Sequence, residues 1–127
     1  MIFVDTDVLI DCLRWTVPAQ AWLSRVTDQP LHVPGVVAME LVFGCRDQSD
    51  ITQVQKFLSA FTIVWPDTSE FALAYDLLIA NRLTSGLSIP DYLIASIAIA
   101  RGAPLYTFNH KHFRVISGLD VQQPYSR

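Results

Sequence analysis

Short β-favouring apolar runs alternate with longer stretches of helical periodicity along the chain. This alternation constrains the fold more than any other feature. Ile2-Phe3-Val4 stops at Asp5. Leu31-His32-Val33 is closed by Pro34-Gly35, and Ile63-Val64-Trp65 by Pro66-Asp67. Leu105-Tyr106-Thr107-Phe108 is a fourth strand candidate, and the stretch from Leu119 to Gln122 a weak fifth. Between them lie helical segments. One is capped by Asp7 and carries Val8, Leu9, Cys12 and Leu13; the next runs from Pro18 to about Val26, and a third from Val36 to Gly44. Ser49 or Asp50 is expected to cap a segment bearing Val54, Phe57, Leu58 and Phe61. A long helix from about Ser69 to Thr84 breaks at Ser85-Gly86, and another from Ile89 to Arg101 stops at Gly102. Strands separated by helices predict an α/β domain with a mostly parallel central sheet, spanning residues 1–127 as one unit.

Hydrophobic residues are 51% of the 127 and charged residues 17%, enough apolar material for a core and too much for a disordered chain. The formal charge of −3 gives no basic footprint. Cys12 and Cys45 stand far apart among apolar residues and read as small core groups in a reducing compartment. The N-terminus has no basic leader. The longest apolar stretch, Tyr92 to Ala100, is interrupted by Ser96 and is too short to span a bilayer, so a soluble cytoplasmic protein is expected. Glycine-rich phosphate loops and Ser-His-Asp signatures are absent. His110-Lys111-His112 has no further ligand nearby and reads as exposed polar sequence, while Trp15, Trp22 and Trp65 read as core or interface packing.

Three acids stand in apolar surroundings. Asp5 ends the first strand, Glu40 interrupts Val36-Val37-Ala38-Met39-Glu40-Leu41-Val42-Phe43, and Asp91 opens the helix whose inner stripe is Ile94, Ala95 and Ala98. A lone buried carboxylate costs roughly several kcal/mol unless it is paired or bound to a cation. No Lys or Arg lies beside Glu40 on its helical stripe. Convergence on one divalent cation resolves all three, and oxygen-only ligands suit Mg²⁺ or Mn²⁺. Local explanations stand beside this one. Ser88-Ile89-Pro90-Asp91 is a capping box, Asp7 an N-cap, Glu40 a helix-rim residue reaching solvent, and Asp5 a loop residue satisfying backbone N–H groups.

Four segments carry a family resemblance. Asp5-Thr6-Asp7-Val8-Leu9-Ile10-Asp11, Met39-Glu40-Leu41-Val42-Phe43-Gly44, Pro90-Asp91-Tyr92-Leu93-Ile94-Ala95 and Leu105-Tyr106-Thr107-Phe108-Asn109-His110-Lys111-His112-Phe113 resemble, in order and spacing, the four motifs of PIN-domain nucleases. The small size resembles the VapC toxins of type II toxin–antitoxin pairs. The resemblance implies a three-layer α/β/α fold and an Mg²⁺-dependent endoribonuclease leaving 5′-phosphate and 3′-hydroxyl ends. It makes Asp5, Glu40 and Asp91 the metal-site acids and Thr107 a hydrogen-bond donor to a ligand carboxylate. Asn109 matches a position that often holds an acid, so a charge is missing there; Asp7, where the family often has Asn or Ser, is read as restoring it. Metal-activated water is the implied nucleophile. A neutralising VapB-like antitoxin and a homodimer are the implied partners, with Trp15 and Trp22 on candidate contact surfaces.

Removing the four negative charges of Asp5, Asp7, Glu40 and Asp91 from the total leaves +1, so an acidic chain coexists with a surface that phosphate can approach. Lys111 and Arg114 are the expected RNA backbone contacts, against a reading as solvated loop charge. Three other readings remain open. Asp5-Thr6-Asp7 also resembles the start of haloacid-dehalogenase-like phosphohydrolases, and acids after a first strand resemble receiver domains. Asn109 leaves room for a non-catalytic RNA- or antitoxin-binding domain.

Overall fold

The computed structural model describes residues Met1–Arg127. In chain order the elements are β1 (Ile2–Val4), α1 (Thr6–Leu13), α2 (Val17–Arg25), β2 (Leu31–Pro34), α3 (Gly35–Phe43) and α4 (Gln48–Leu58). They continue with β3 (Thr62–Val64), α5 (Thr68–Asn81), α6 (Ile89–Ala100), β4 (Leu105–Tyr106), α7 (His110–Phe113) and β5 (Val121–Gln122). All five strands are parallel, in the order β3-β2-β1-β4-β5, with Ile2 opposite Leu31 and Phe3 opposite Leu105. The chain travels outward from β1 to β3, then crosses back to β4 on β1's other side. Right-handed crossovers lay the helices of these two directions on opposite faces of the sheet. The expected α/β architecture with a parallel sheet is the one observed, and the weak fifth strand is present. No helix is long and apolar enough to cross a membrane.

β1 is the central strand, and Ile2, Phe3 and Val4 are all buried, as are Val8, Leu9, Val33, Ile94, Ile97 and Leu105 around it. A parallel strand with neighbours on both sides and helices over its faces needs such a continuous apolar run.

Several local expectations are corrected. Asp5, not Asp7, is the N-cap of α1: its carboxylate accepts from Thr6 N–H. Asp47, ahead of Ser49 and Asp50, caps α4 by accepting from Asp50 N–H. The long helix ends at Asn81, before Thr84. His110-Lys111-His112, read as exposed polar sequence, belongs to a short helix ending in the buried Phe113; His110 and Lys111 are exposed as expected and His112 is half-buried. Of the tryptophans only Trp22 is buried. Trp15 lies 76% exposed with φ 57, the left-handed turn that separates α1 from α2. Trp65 is also exposed, its ring lying so close over Gly35 that an added Cβ would fall 2.2 Å from it. Cys12 is buried and Cys45 half-buried, and both are free thiols.

The most buried charged pair between helices is Glu70 with Arg101. Glu70 is 3% exposed; it closes a capping box with Asp67 and takes a bidentate bond from Arg101 at the end of α6, at 2.9 and 3.0 Å. This clamps the start of α5 to the end of α6. Replacing Arg101 by Met leaves a buried carboxylate unpaired, and we expect a loss of about 2–4 kcal/mol in urea denaturation. A loss below about half a kcal/mol would show the clamp to be incidental.

Candidate functional site

Open parallel sheets place their ligand crevice where the strand order reverses, outside the carboxyl ends of the strands. Here that point lies between β1 and β4. Asp5 follows β1 there, and Thr107 follows β4. The two are joined: Thr107 Oγ1 donates to Asp5 Oδ2 at 2.7 Å, while Thr6 N–H donates to Oδ1 at 2.8 Å. Thr107 Oγ1 in turn accepts from Asn109 N–H at 2.9 Å. The expected bond from Thr107 to an acid of the site is therefore present, and both Asp5 oxygens are fixed.

Asp5 is only 7% exposed. Burial, then the neighbouring charge of Asp7, and more weakly that of Asp91, push its pKa from 3.8 to about 7 despite the bonds from Thr107 and Thr6. Asp7 follows in the first turn of α1. Its Oδ2 accepts from Phe108 N–H at 3.1 Å, and its Oδ1 is buried with no hydrogen-bond partner. Burial raises its pKa as well, opposed by the Phe108 and Val8 amides and by the charge of Arg127.

The other acids come from the helices. Asp91, half-buried, opens α6 in the expected capping box; Ser88 N–H and Ser88 Oγ both donate to its Oδ2, at 2.8 and 2.9 Å. Glu40 sits on α3, but the apolar run around it is not a buried stripe. Phe43 is 92% exposed and Glu40 itself is exposed. Very apolar helices can turn part of their surface to solvent, so hydrophobicity alone did not report burial here. Glu40 nevertheless reaches the site, because Thr6 Oγ1 donates to its Oε1 at 2.9 Å. It also borders a groove of about 440 Å³ between α1, α3 and α4, with Arg14 and Arg46 among its lining residues.

Asn109 is turned elsewhere. Its Oδ1 lies 2.7 Å from His112 Nδ1, and the His112 ring fits closely against Gly86, where an added Cβ would stand 3.0 Å from it. Its side-chain oxygen is thus engaged outside the acid group. Lys111 and Arg114 are exposed on and just after α7, and neither pairs with a carboxylate. As the side chains stand, no group of three or more His, Cys, Asp or Glu could hold a metal ion together.

Four contributors were not singled out from sequence. Thr6 ties Asp5 to Glu40. Asp11, Tyr125 and Arg127 form a cluster one turn further along α1: Tyr125 hydroxyl and Arg127 Nε donate to Asp11 Oδ2 at 2.9 and 3.1 Å. Asp11 lies in the opening motif, four residues after Asp7, which was the available signal. Nothing in a tail more than a hundred positions away announced its partners.

The family model of the PIN domain matches residues 2–119, and the chain belongs to the PIN-domain family. Ribonuclease VapC10 of Mycobacterium tuberculosis is 37% identical over 122 residues, covering 94% of this chain and 90% of that protein. Ribonuclease VapC of Rickettsia bellii is 31% identical over 131 residues, covering 94% and 93%. Among solved structures, VapBC2 from Rickettsia felis, bound to a DNA fragment from its promoter, has TM-score 0.86 at 22% identity, covering 97% of this chain and 98% of that one. A toxin–antitoxin complex from Klebsiella pneumoniae has TM-score 0.76 at 25% identity over the full length of both chains.

The raised pKa of Asp5 has a sign opposite to that of an ordinary salt-bridged acid. Between about 4 and 7 the folded chain keeps a proton that the unfolded chain has lost, so stability falls as pH rises through this window and is level above it. In chelator, Asp5→Asn should stabilise the protein above pH 7, by on the order of 1–3 kcal/mol, and flatten the pH dependence. Urea denaturation from pH 4 to 8 checks this; a variant destabilised equally at every pH would contradict it.

Proposed function

We propose that this chain is a metal-dependent endoribonuclease of VapC type, acting in the cytoplasm as the toxin of a toxin–antitoxin pair. The observation that carries the reading is the carboxylate of Asp5, buried at the strand-order reversal with Asp7 and Asp91 near enough to raise its pKa. The ribonuclease names of the relatives at 37% and 31% identity support the reaction class. Neighbouring structures solved as VapBC complexes support the antitoxin. A phosphohydrolase of haloacid-dehalogenase type finds no support beside the PIN family match.

The donor set fits a hard divalent cation in chemistry: Asp5, Asp7 and Asp91 offer oxygen only, and Asp7 Oδ1 is a buried acceptor without a donor. The fit is one of donors rather than of a closed cage, since three carboxylates do not yet converge. Asp5 and Asp91 would hold Mg²⁺ or Mn²⁺, with Asp7 and Glu40 completing the charge. A bound Mg²⁺ supplies positive charge against the phosphodiester and lowers the pKa of water at the site.

The chain's own residues prepare that chemistry. Thr107 and Thr6 N–H fix the plane of the Asp5 carboxylate. The Ser88 cap holds Asp91 by Oδ2 alone, and Thr6 hydroxyl keeps Glu40 against the start of α1. Asn109 contributes through its backbone N–H to Thr107 and through His112, rather than by an added charge. Lys111 and Arg114, with Arg14 and Arg46 along the groove, would meet RNA phosphates. Exposed apolar side chains on α3, β3's end and α5, among them Phe43, Trp65 and Ile79, offer surface for an antitoxin or a second copy.

A non-catalytic binding domain is the second reading, favoured by the engagement of Asn109 with His112. Incubation with total RNA separates the two. We expect cleavage in Mg²⁺ and not in chelator, 5′-phosphate ends, and a loss of about a thousandfold in Asp5→Asn and Asp91→Asn. Intact RNA with the wild-type protein in Mg²⁺ would favour the binding domain. Equal cleavage by Asp5→Asn would identify a contaminating nuclease. Asp7→Asn should weaken Mg²⁺ affinity by about tenfold, measured by calorimetry; unchanged affinity would remove Asp7 from the ion's surroundings.

A further inference from the structure

Asp11 stands one turn beyond Asp7 on α1, so its carboxylate is held on the same short helix that carries the acids. It is nearly buried and accepts three hydrogen bonds from the C-terminal segment. Tyr125 hydroxyl and Arg127 Nε reach Oδ2 at 2.9 and 3.1 Å, and Arg127 Nη2 reaches Oδ1 at 3.3 Å. The same guanidinium donates to the backbone carbonyl of Asp7 at 3.4 Å and lies 4.0 Å from the centre of the Phe108 ring. Tyr125 packs its ring edgewise against Phe108, with centroids 5.0 Å apart, and also against Trp22. Phe108 is the residue whose N–H holds Asp7 Oδ2.

We infer that residues Tyr125 to Arg127 form a strap that locks the first turn of α1 to the loop after β4, with Arg127 a positioning residue for Asp7. One guanidinium touches both sides of the Asp7–Phe108 bond: the carbonyl of Asp7 on one side, the ring of Phe108 on the other. A half-exposed ion pair alone contributes little. Here a planar, bidentate cation also stacks on an aromatic face, a combination Lys does not reproduce. The strap's position is read from the fold; its effect on activity rests on the metal-dependent nuclease reading above.

The test compares Arg127→Ala, Asp11→Asn and the double variant in the full chain. Three readouts are used: hydrogen exchange of the Phe108 amide without metal, the dissociation constant of Mn²⁺ alone, and the salt dependence of RNA binding. We expect each single variant to speed Phe108 exchange and to weaken Mn²⁺ binding by about tenfold, with the double variant no worse than either. Arg127→Lys should recover only part of the loss. Melting temperatures well above the assay temperature would establish that the variants are folded. Unchanged Phe108 exchange in Arg127→Ala would overturn the strap. So would an Asp11→Asn protein of wild-type behaviour beside an Arg127→Ala protein with a smaller salt dependence of RNA binding, since Arg127 would then contact phosphate. A wild-type protein that binds no Mn²⁺ would sink the metal reading, and the exchange data would still decide the strap.

Discussion

Asp5 is held at the carboxyl end of the central strand by two hydrogen bonds, nearly sealed from water, with two more acids close by. The rest of the structure is arranged around the difficulty this creates. β1 must be central and apolar to carry a carboxylate so deep into the molecule. Its neighbour β4 must end beside it to supply the Thr107 hydroxyl. Reversal of the strand order between them puts the acid at the point where open parallel sheets place their ligand sites. Without a cation, this arrangement costs stability at neutral pH. That is the common price of a site built for charge rather than for folding.

The supports differ in kind. Thr6 and Thr107 are short, stiff side chains adjoining the acids, and they act by direct hydrogen bonds. Ser88 holds Asp91 through helix-capping geometry, so a local folding motif also orients a site residue. The Tyr125–Arg127 cluster acts indirectly, on the helix and loop that bear the acids. Two of the acids keep an oxygen unshared: Asp7 Oδ1 has no donor, and both bonds to Asp91 go to Oδ2, whereas both oxygens of Asp5 accept a bond. Carboxylates bound through one oxygen remain competent to turn the other toward an ion.

Much of the fold was legible because its signals were local. Apolar runs cut off by Asp, Pro-Gly or Pro-Asp located β1, β2 and β3, and Ser88-Ile89-Pro90-Asp91 announced the start of α6. The caps were less legible. Asp5 and Asp7 are both acids at a helix start; Asp5 is the cap, while the carboxylate of Asp7 accepts from Phe108 N–H in the loop after β4. Burial was misread in the run around Glu40, since α3 packs Val37, Ala38 and Leu41 inward and turns Met39 and Phe43 to solvent. The tail was opaque. The bonds from Tyr125 and Arg127 to Asp11 join residues 114 and 116 positions apart, and a single sequence carries no pattern at that range.

The central claim is that burial and the neighbouring acids raise the pKa of the Asp5 carboxyl group to about 7, and that a cation bound beside it would lower it again. Carbon-13 NMR of the Asp5 carboxyl group, titrated from pH 3 to 9, measures this directly. In chelator the midpoint should lie near 7, and saturating Mg²⁺ should move it down toward the ordinary carboxylate range. A midpoint near 4 in chelator, unmoved by Mg²⁺, would contradict the account.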